Sequence, residues 1–307
     1  MKTRRGILAI SVCAVLAVLL AAALVVPRSR FALMVAMGRN YCPVDSVWSV
    51  DALRQARLEV RKELERTAHV VRRDGEFALW EIGGERYWMP AGSRILPGML
   101  AERKAGLYDT GGHGVRAGDV VLDCGANIGL STLAALKRGA SLVVAIEPAL
   151  DNVECLRRNL KDQVLARRVL IYPKGVWDKD DVLPLNVQPS NTASYSVALQ
   201  YRGATPGPRV QLTTIDELVR DLELERVDFI KLDIEGAERA ALTGGAGTIR
   251  RWHPSMAISL AHRYDDPEVI PDMVRSLWDG YHAAPGVCIE QSAGLRPAIM
   301  SFYGTGR

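Results

Sequence analysis

Aromatic residues make up only 6% of the 307-residue chain, and its five cysteines (Cys13, Cys42, Cys124, Cys155 and Cys288) are scattered without any C-x-x-C spacing. Their number is odd and their spacing irregular, so neither a disulfide framework nor a zinc site is indicated, and a reducing compartment is the natural setting. A surplus of charge is missing as well. The net charge is +4, with basic residues interleaved among acids except near the N-terminus, which argues against nucleic acid as a partner. Apolar residues are plentiful at 48%. Disorder is thereby excluded, and the chain can bury a full α/β core as one main domain with an N-terminal extension.

The extension begins with an apolar run, Ile7 to Val26, that carries no charge and is long enough to cross a hydrocarbon core as a helix. Lys2, Arg4 and Arg5 precede it and Arg28 and Arg30 follow, so flanking charge assigns no orientation. Ala21-x-Ala23 offers a cleavage site, yet the run exceeds a usual signal-peptide core. Residues 1–30 are therefore read as a single-pass membrane anchor.

Residues 31–99 read as a linker helix followed by a hairpin. Leu53, Ala56, Val60, Leu64, Ala68 and Val71 recur at helical spacing, with charged residues on the other faces, predicting an amphipathic helix from Asp51 to Val71. Phe77 to Ile82 and Glu85 to Met89 flank Gly83-Gly84, a two-residue hairpin signal.

The densest signal is Val120-Val121-Leu122-Asp123-Cys124-Gly125-Ala126-Asn127-Ile128-Gly129, followed by Val143-Val144-Ala145-Ile146-Glu147. It reads as strand, glycine turn, helix and second strand, ending in a carboxylate able to accept both hydroxyls of a ribose. Gly125 and Gly129 allow backbone to approach a ligand. A dinucleotide fingerprint G-x-G-x-x-G is broken by Asn127 and Leu130. Asp123 would repel a pyrophosphate but suits a cationic ligand, so S-adenosylmethionine (SAM) fits better than NAD. SAM is made in the cytosol, which places the catalytic domain on the cytosolic side of the anchor.

Asn152 to Leu160 then predicts a helix and Val169 to Tyr172 a third strand, units that build a parallel sheet. Gly175-Val176-Trp177-Asp178 follows; at such a strand end Asp178 can accept from an adenine amino group, or simply cap a turn. Asp181 to Arg209, with four prolines, reads as hairpin and loop, and within it Asn191 to Ser196 is a polar patch suited to an exposed turn or a hydroxylated substrate.

A second constellation, Val227-Asp228-Phe229-Ile230-Lys231-Leu232-Asp233-Ile234-Glu235-Gly236-Ala237-Glu238, is an apolar strand ending in carboxylates. Glu235 and Glu238 also suit the start of a helix, whereas Asp233 stands at the ligand-binding edge of a doubly wound sheet. Such oxygens can hold Mg²⁺ or Ca²⁺, but a third spatially fixed partner is missing, so no metal is assigned. The strand Met256 to Ala261 leads into His262, a general-base candidate at the same edge.

Asp123 to Gly129, Thr213-Thr214-Ile215-Asp216-Glu217-Leu218, Ile230 to Glu238 and Gly280-Tyr281 occur in this order, and together they resemble the FkbM-type SAM-dependent methyltransferases over about Leu100 to Tyr281. The resemblance implies a class I, Rossmann-like, seven-stranded methyltransferase fold over residues 100–307 and methyl transfer to a hydroxyl of a sugar or natural product, and the anchor adds a glycolipid to the acceptors by location. By it, Gly125, Asn127 and Gly129 line the methionine part of SAM, Glu147 holds the ribose, Asp178 lies near adenine, and His262 matches the histidine after the fifth strand. This points to an O-methyltransferase with His262 as base, oriented by Asp233. A membrane-tethered SAM-binding or scaffold protein without turnover is the alternative.

Overall fold

The computed structural model describes residues 27–106, 112–291 and 294–305. The apolar run over residues 7–26, read as an anchor, lies outside them. Among the described residues no helix is long and apolar enough to cross a membrane.

Helices Pro27–Ala36 and Val44–Val47 precede the amphipathic helix Val50–Thr67. That helix stops earlier than its apolar spacing predicts. Ala68 leaves it with ψ 126°, and Val71 falls in strand β1 (His69–Asp74). The β-branched pair Val70-Val71 favours extended backbone, and β1 finds a partner in β2 (Phe77–Ile82). β2 in turn pairs with β3 (Glu85–Pro90) across Gly83-Gly84, both at positive φ as tight hairpin turns require. The predicted hairpin is thus part of a three-stranded sheet. Leu64, Ile82, Met89 and Leu96 from this layer share a core with Ile128, Leu130 and Cys155, which seats the extension against the glycine turn.

β4 (Val120–Cys124), β5 (Leu142–Ile146) and β6 (Val169–Tyr172) are parallel neighbours. Their almost unbroken Val, Leu and Ile runs are what strands covered on both faces need, and helices Leu130–Lys137 and Leu150–Asn159 provide the crossovers. β7 (Gly175–Val176), β8 (Asp181–Val187) and β9 (Thr205–Thr213) form a small separate sheet. The chain returns to the main sheet with β10 (Phe229–Leu232) beside β4, then β11 (Ser255–Ser259). The C-terminal part adds helix Asp266–Leu277, β12 (His282–Pro285), the antiparallel pair β13 (Cys288–Gln291) and β14 (Gly294–Pro297), and β15 (Ile299–Tyr303).

The main sheet runs β12-β15-β11-β10-β4-β5-β6, with β15 antiparallel to both neighbours. This is the Rossmann-like, seven-stranded arrangement expected. Strand order reverses at β4, so the carboxyl ends of β4, β5 and β10 border a crevice where such sheets bind ligands.

Cys42 and Cys288 form a disulfide that ties the segment ahead of helix Val50–Thr67 to β13. This corrects the expectation of unpaired thiols. The partners are 246 positions apart, a pairing that spacing alone does not reveal, and cysteine usage therefore no longer argues for a reducing compartment. Cys124 and Cys155 are free and buried.

Candidate active site

A cavity of about 520 Å³ opens at the crevice. One wall is the turn after β4, where Gly125 and Asn127 line the cavity with φ of 79° and 49°. Asparagine tolerates this left-handed backbone because its short amide bonds locally. Here Oδ1 accepts from the Ile128 N–H at 2.9 Å, while Nδ2 donates to the Thr192 carbonyl at 3.1 Å.

Glu147 closes the same wall from the end of β5. Its two carboxylate oxygens each accept a backbone N–H at 3.0 Å, one from Asn127 and one from Ala149. Burial raises its pKa to about 7, against the lowering effect of these donors. Glu147 therefore clamps two turns together; Oε1 also accepts from Asn152 Nδ2 at 3.4 Å, and Oε2, with one donor, retains acceptor capacity.

Three residues expected at the ligand stand outside the cavity lining. Gly129 caps helix Leu130–Lys137 at φ 97°, where a Cβ would come within 3.0–3.2 Å of Leu160 and Leu156; its smallness serves packing. Asp123 is buried behind the turn, accepting from the Thr132 hydroxyl at 2.7 Å and lying 3.3 Å from Lys231 Nζ. Its charge is met inside the protein, and Lys231 rather than Asp123 reaches the wall. Asp178 is exposed. The Trp177 N–H bonds the Thr213 carbonyl at 2.7 Å, drawing the chain onto β9, and only Gly175 and Val176 of that turn line the cavity.

The facing wall gathers Asp233, Glu235 and His262. Glu235 and Gly236 turn the chain after β10 with φ of 54° and 94°, leading into helix Glu238–Gly244. Glu238 Oε1 accepts from the Ile234 N–H at 2.9 Å and lies 2.8 Å from His262 Nδ1. The carboxylate that orients the imidazole is thus the buried Glu238, read from sequence as a helix-start residue, and not Asp233. His262 Nε2 is 3.5 Å from Glu235 Oε1 and 3.7 Å from Asp233 Oδ1. Burial opposes charge on this histidine, but the carboxylates of Glu235 and Glu238 outweigh it and raise its pKa well above the ordinary value.

The polar stretch from Asn191 to Ser196 spans the two walls. Thr192 is held through its carbonyl by Asn127, and its hydroxyl lies 3.2 Å from that of Ser93. At the other end the Ser196 hydroxyl donates to the Glu235 carbonyl at 2.7 Å. Residues without a motif complete the lining: Arg57 from helix Val50–Thr67, Met99, Glu102 and Arg103 from helix Leu96–Lys104, and Tyr201. Glu102 has its pKa raised, chiefly by burial, with Arg57 opposing. None of these carried a site signal in the sequence; Arg57 is one of several charges off the apolar stripe of its helix.

A family description, the methyltransferase FkbM domain, matches residues 123–282. Among solved structures, the methyltransferase FkbM from Methylobacillus flagellatus KT is 22% identical, aligned over 68% of this chain and 52% of its own, with a TM-score of 0.48. The present chain thus spans about half the length of that relative. The tRNA m1G37 methyltransferase of M. jannaschii is 14% identical over 75% of this chain and 55% of its own, TM-score 0.43. M. jannaschii TYW2, solved with AdoMet, is 15% identical over 77% and 90%, TM-score 0.42. No curated protein matches.

Proposed function

The chain belongs to the FkbM methyltransferase family, whose description covers residues 123–282, and on that premise we propose that it moves a methyl group from SAM to a hydroxyl of a sugar, glycolipid or natural-product acceptor. The observation that carries this reading is the pairing of two walls across one cavity: the Gly125 turn with Glu147 on one side, and His262 with its carboxylates on the other.

The residues fit the cofactor. The turn at Gly125 presents backbone, Glu147 offers acceptor lone pairs to ribose hydroxyls, and Ile146 and Val176 supply apolar surface for a base. SAM supplies the electrophilic methyl. The protein aligns the acceptor oxygen with it, and such positioning is a large part of catalysis in a displacement of this kind. In its neutral form, whose share grows as pH rises toward its raised pKa, His262 takes the hydroxyl proton at Nε2. Glu238, behind Nδ1, stabilises the imidazolium that forms, as a buried carboxylate does for a catalytic histidine. Asp233 faces the same nitrogen, and the stretch Asn191 to Ser196 shapes the acceptor side.

The uncharged run over residues 7–26 supports attachment to a membrane, where lipid-linked glycans are within reach. The test is a search of lipids and glycans for a mass gain of one methylene when the gene is restored to a deletion strain, with His262→Ala as the paired arm. Methylation that survives in the variant removes His262 from the reaction. Calorimetry with SAM on the same variant is expected to show binding intact.

A further inference from the structure

Asp233, Glu235 and His262 each offer one donor atom, and these atoms lie within 4.8 Å of one another. Glu235 and His262 are hydrogen-bonded at their other ends, and Asp233 faces a lysine. Asp233 Oδ2 lies 4.0 Å from Lys231 Nζ, the Tyr201 hydroxyl donates to Glu235 Oε2 at 2.7 Å, and His262 Nδ1 meets Glu238 Oε1 at 2.8 Å. The remaining atoms, Oδ1, Oε1 and Nε2, point to a common place on the cavity wall. Outer hydrogen bonds thus fix the far atoms of two of the three, and a carboxylate behind an imidazole is the usual support of a metal-bound histidine.

The spacings say the same. The imidazole is nine-tenths buried, yet its Nε2 stands 3.5 and 3.7 Å from the two carboxylate oxygens, beyond the roughly 2.7–3.2 Å of a good N–H···O bond. Two ligands of one ion at about 2.0–2.2 Å sit roughly 3.0–4.3 Å apart, depending on the angle between them. From sequence the carboxylates lacked a third partner, and the fold supplies it from the end of β11.

We propose that Asp233, Glu235 and His262 hold a divalent first-row transition-metal cation, for which one imidazole and two carboxylates are a suitable donor set, with Mn²⁺ as the probe. Three protein ligands leave coordination positions open toward the cavity. There a hydroxyl oxygen of the acceptor binds the ion and loses its proton to solvent more readily. Binding releases the Nε2 proton to solvent and takes the lone pair, so with the ion bound His262 is a ligand and the ion, by acidifying the hydroxyl, takes over the part His262 plays as base without it. The ion's role rests on the methyl-transfer reading; its binding does not.

The experiment is a titration of the purified full chain with Mn²⁺ alone, followed by the electron-spin resonance of free Mn²⁺. One ion per chain is expected, with affinity at least tenfold lower in Asp233→Asn and in Glu235→Gln. Glu238→Gln, which leaves the three ligands in place and alters the outer partner of His262 and of the Ile234 N–H, is expected to weaken it tenfold or more. SAM calorimetry and circular dichroism on each variant identify any that fail to fold. No binding by the wild type, or equal affinity in folded Asp233→Asn and Glu235→Gln, overturns the site. SAM binding alongside no Mn²⁺ binding sinks the ion and leaves the methyl-transfer reading standing; Mn²⁺ without SAM does the reverse.

Discussion

A Cβ placed on Gly125 would lie 2.1 Å from the carbonyl oxygen of Asp233. The glycine of the turn therefore makes room for the neighbouring strand end, and this close approach brings the two walls of the cavity together. Gly125→Ala forces both a left-handed alanine and a backbone clash. Destabilisation of about 2–4 kcal/mol is expected, read as a lower urea midpoint. A midpoint equal to wild type would mean that the strand ends separate freely.

Glu147 carries a pKa of about 7, raised by burial. Below that pH the carboxyl is protonated and has less acceptor capacity for ribose hydroxyls; above it the carboxylate is available. SAM affinity is thus expected to fall as pH drops from 8 to 6. Glu147→Gln is expected to bind about tenfold less tightly at pH 8, the loss of one to two charge-assisted hydrogen bonds, and to lack this acid limb. Calorimetry across that range decides the matter, and an acid limb persisting in the variant assigns it to another group.

Much of this site was legible because its chemistry is local. The strands β4, β5, β10 and β11 announce themselves as apolar runs, and the ends of β5, β10 and β11 carry Glu147, Asp233 and His262. What was not legible is where a side chain spends its charge. Asp123 in sequence is an acid beside a glycine turn; in the fold Lys231 claims it from the adjacent strand, with β10 in register beside β4. Glu238 sits at a helix start and serves there, yet its oxygen also meets His262 from 24 positions away. The lining from Arg57 and Glu102 depends on how the extension packs, and no short-range pattern encodes that.

Arg239 links helix Glu238–Gly244 to the start of helix Asp266–Leu277, donating to Asp266 at 2.9 Å and to Asp265 at 2.5 and 3.2 Å. Asp266 is fully buried, and burial raises its pKa while Arg239 pulls it down. Arg239→Met removes the counter-charge of that carboxylate and leaves it the Arg263 N–H at 2.7 Å, at an expected cost of about 3 kcal/mol. Without the guanidinium the folded-state pKa climbs further. The folded variant then binds a proton that the unfolded chain lacks, so its stability recovers as pH falls. Urea unfolding at pH 8 and pH 5.5 is expected to show the deficit shrinking at the lower pH, and a constant deficit would locate the cost elsewhere.

The Cys42–Cys288 bond closes a loop of 246 positions, and Cys288 directly precedes Ile289, Glu290 and Gln291 of the cavity lining. Cross-links of long loops stabilise chiefly by restricting the unfolded chain, typically by about 2–4 kcal/mol. Reductant is therefore expected to lower the unfolding midpoint of the wild type and to leave a Cys42→Ser, Cys288→Ser variant unchanged. The same bond tests the compartment. A cytosolic domain would hold these thiols reduced, whereas an exported one would keep the bond. Alkylation of intact cells followed by denaturation without reductant separates the cases: labelled Cys42 and Cys288 place the domain with the cytosolic SAM pool, and unlabelled cysteines place it outside.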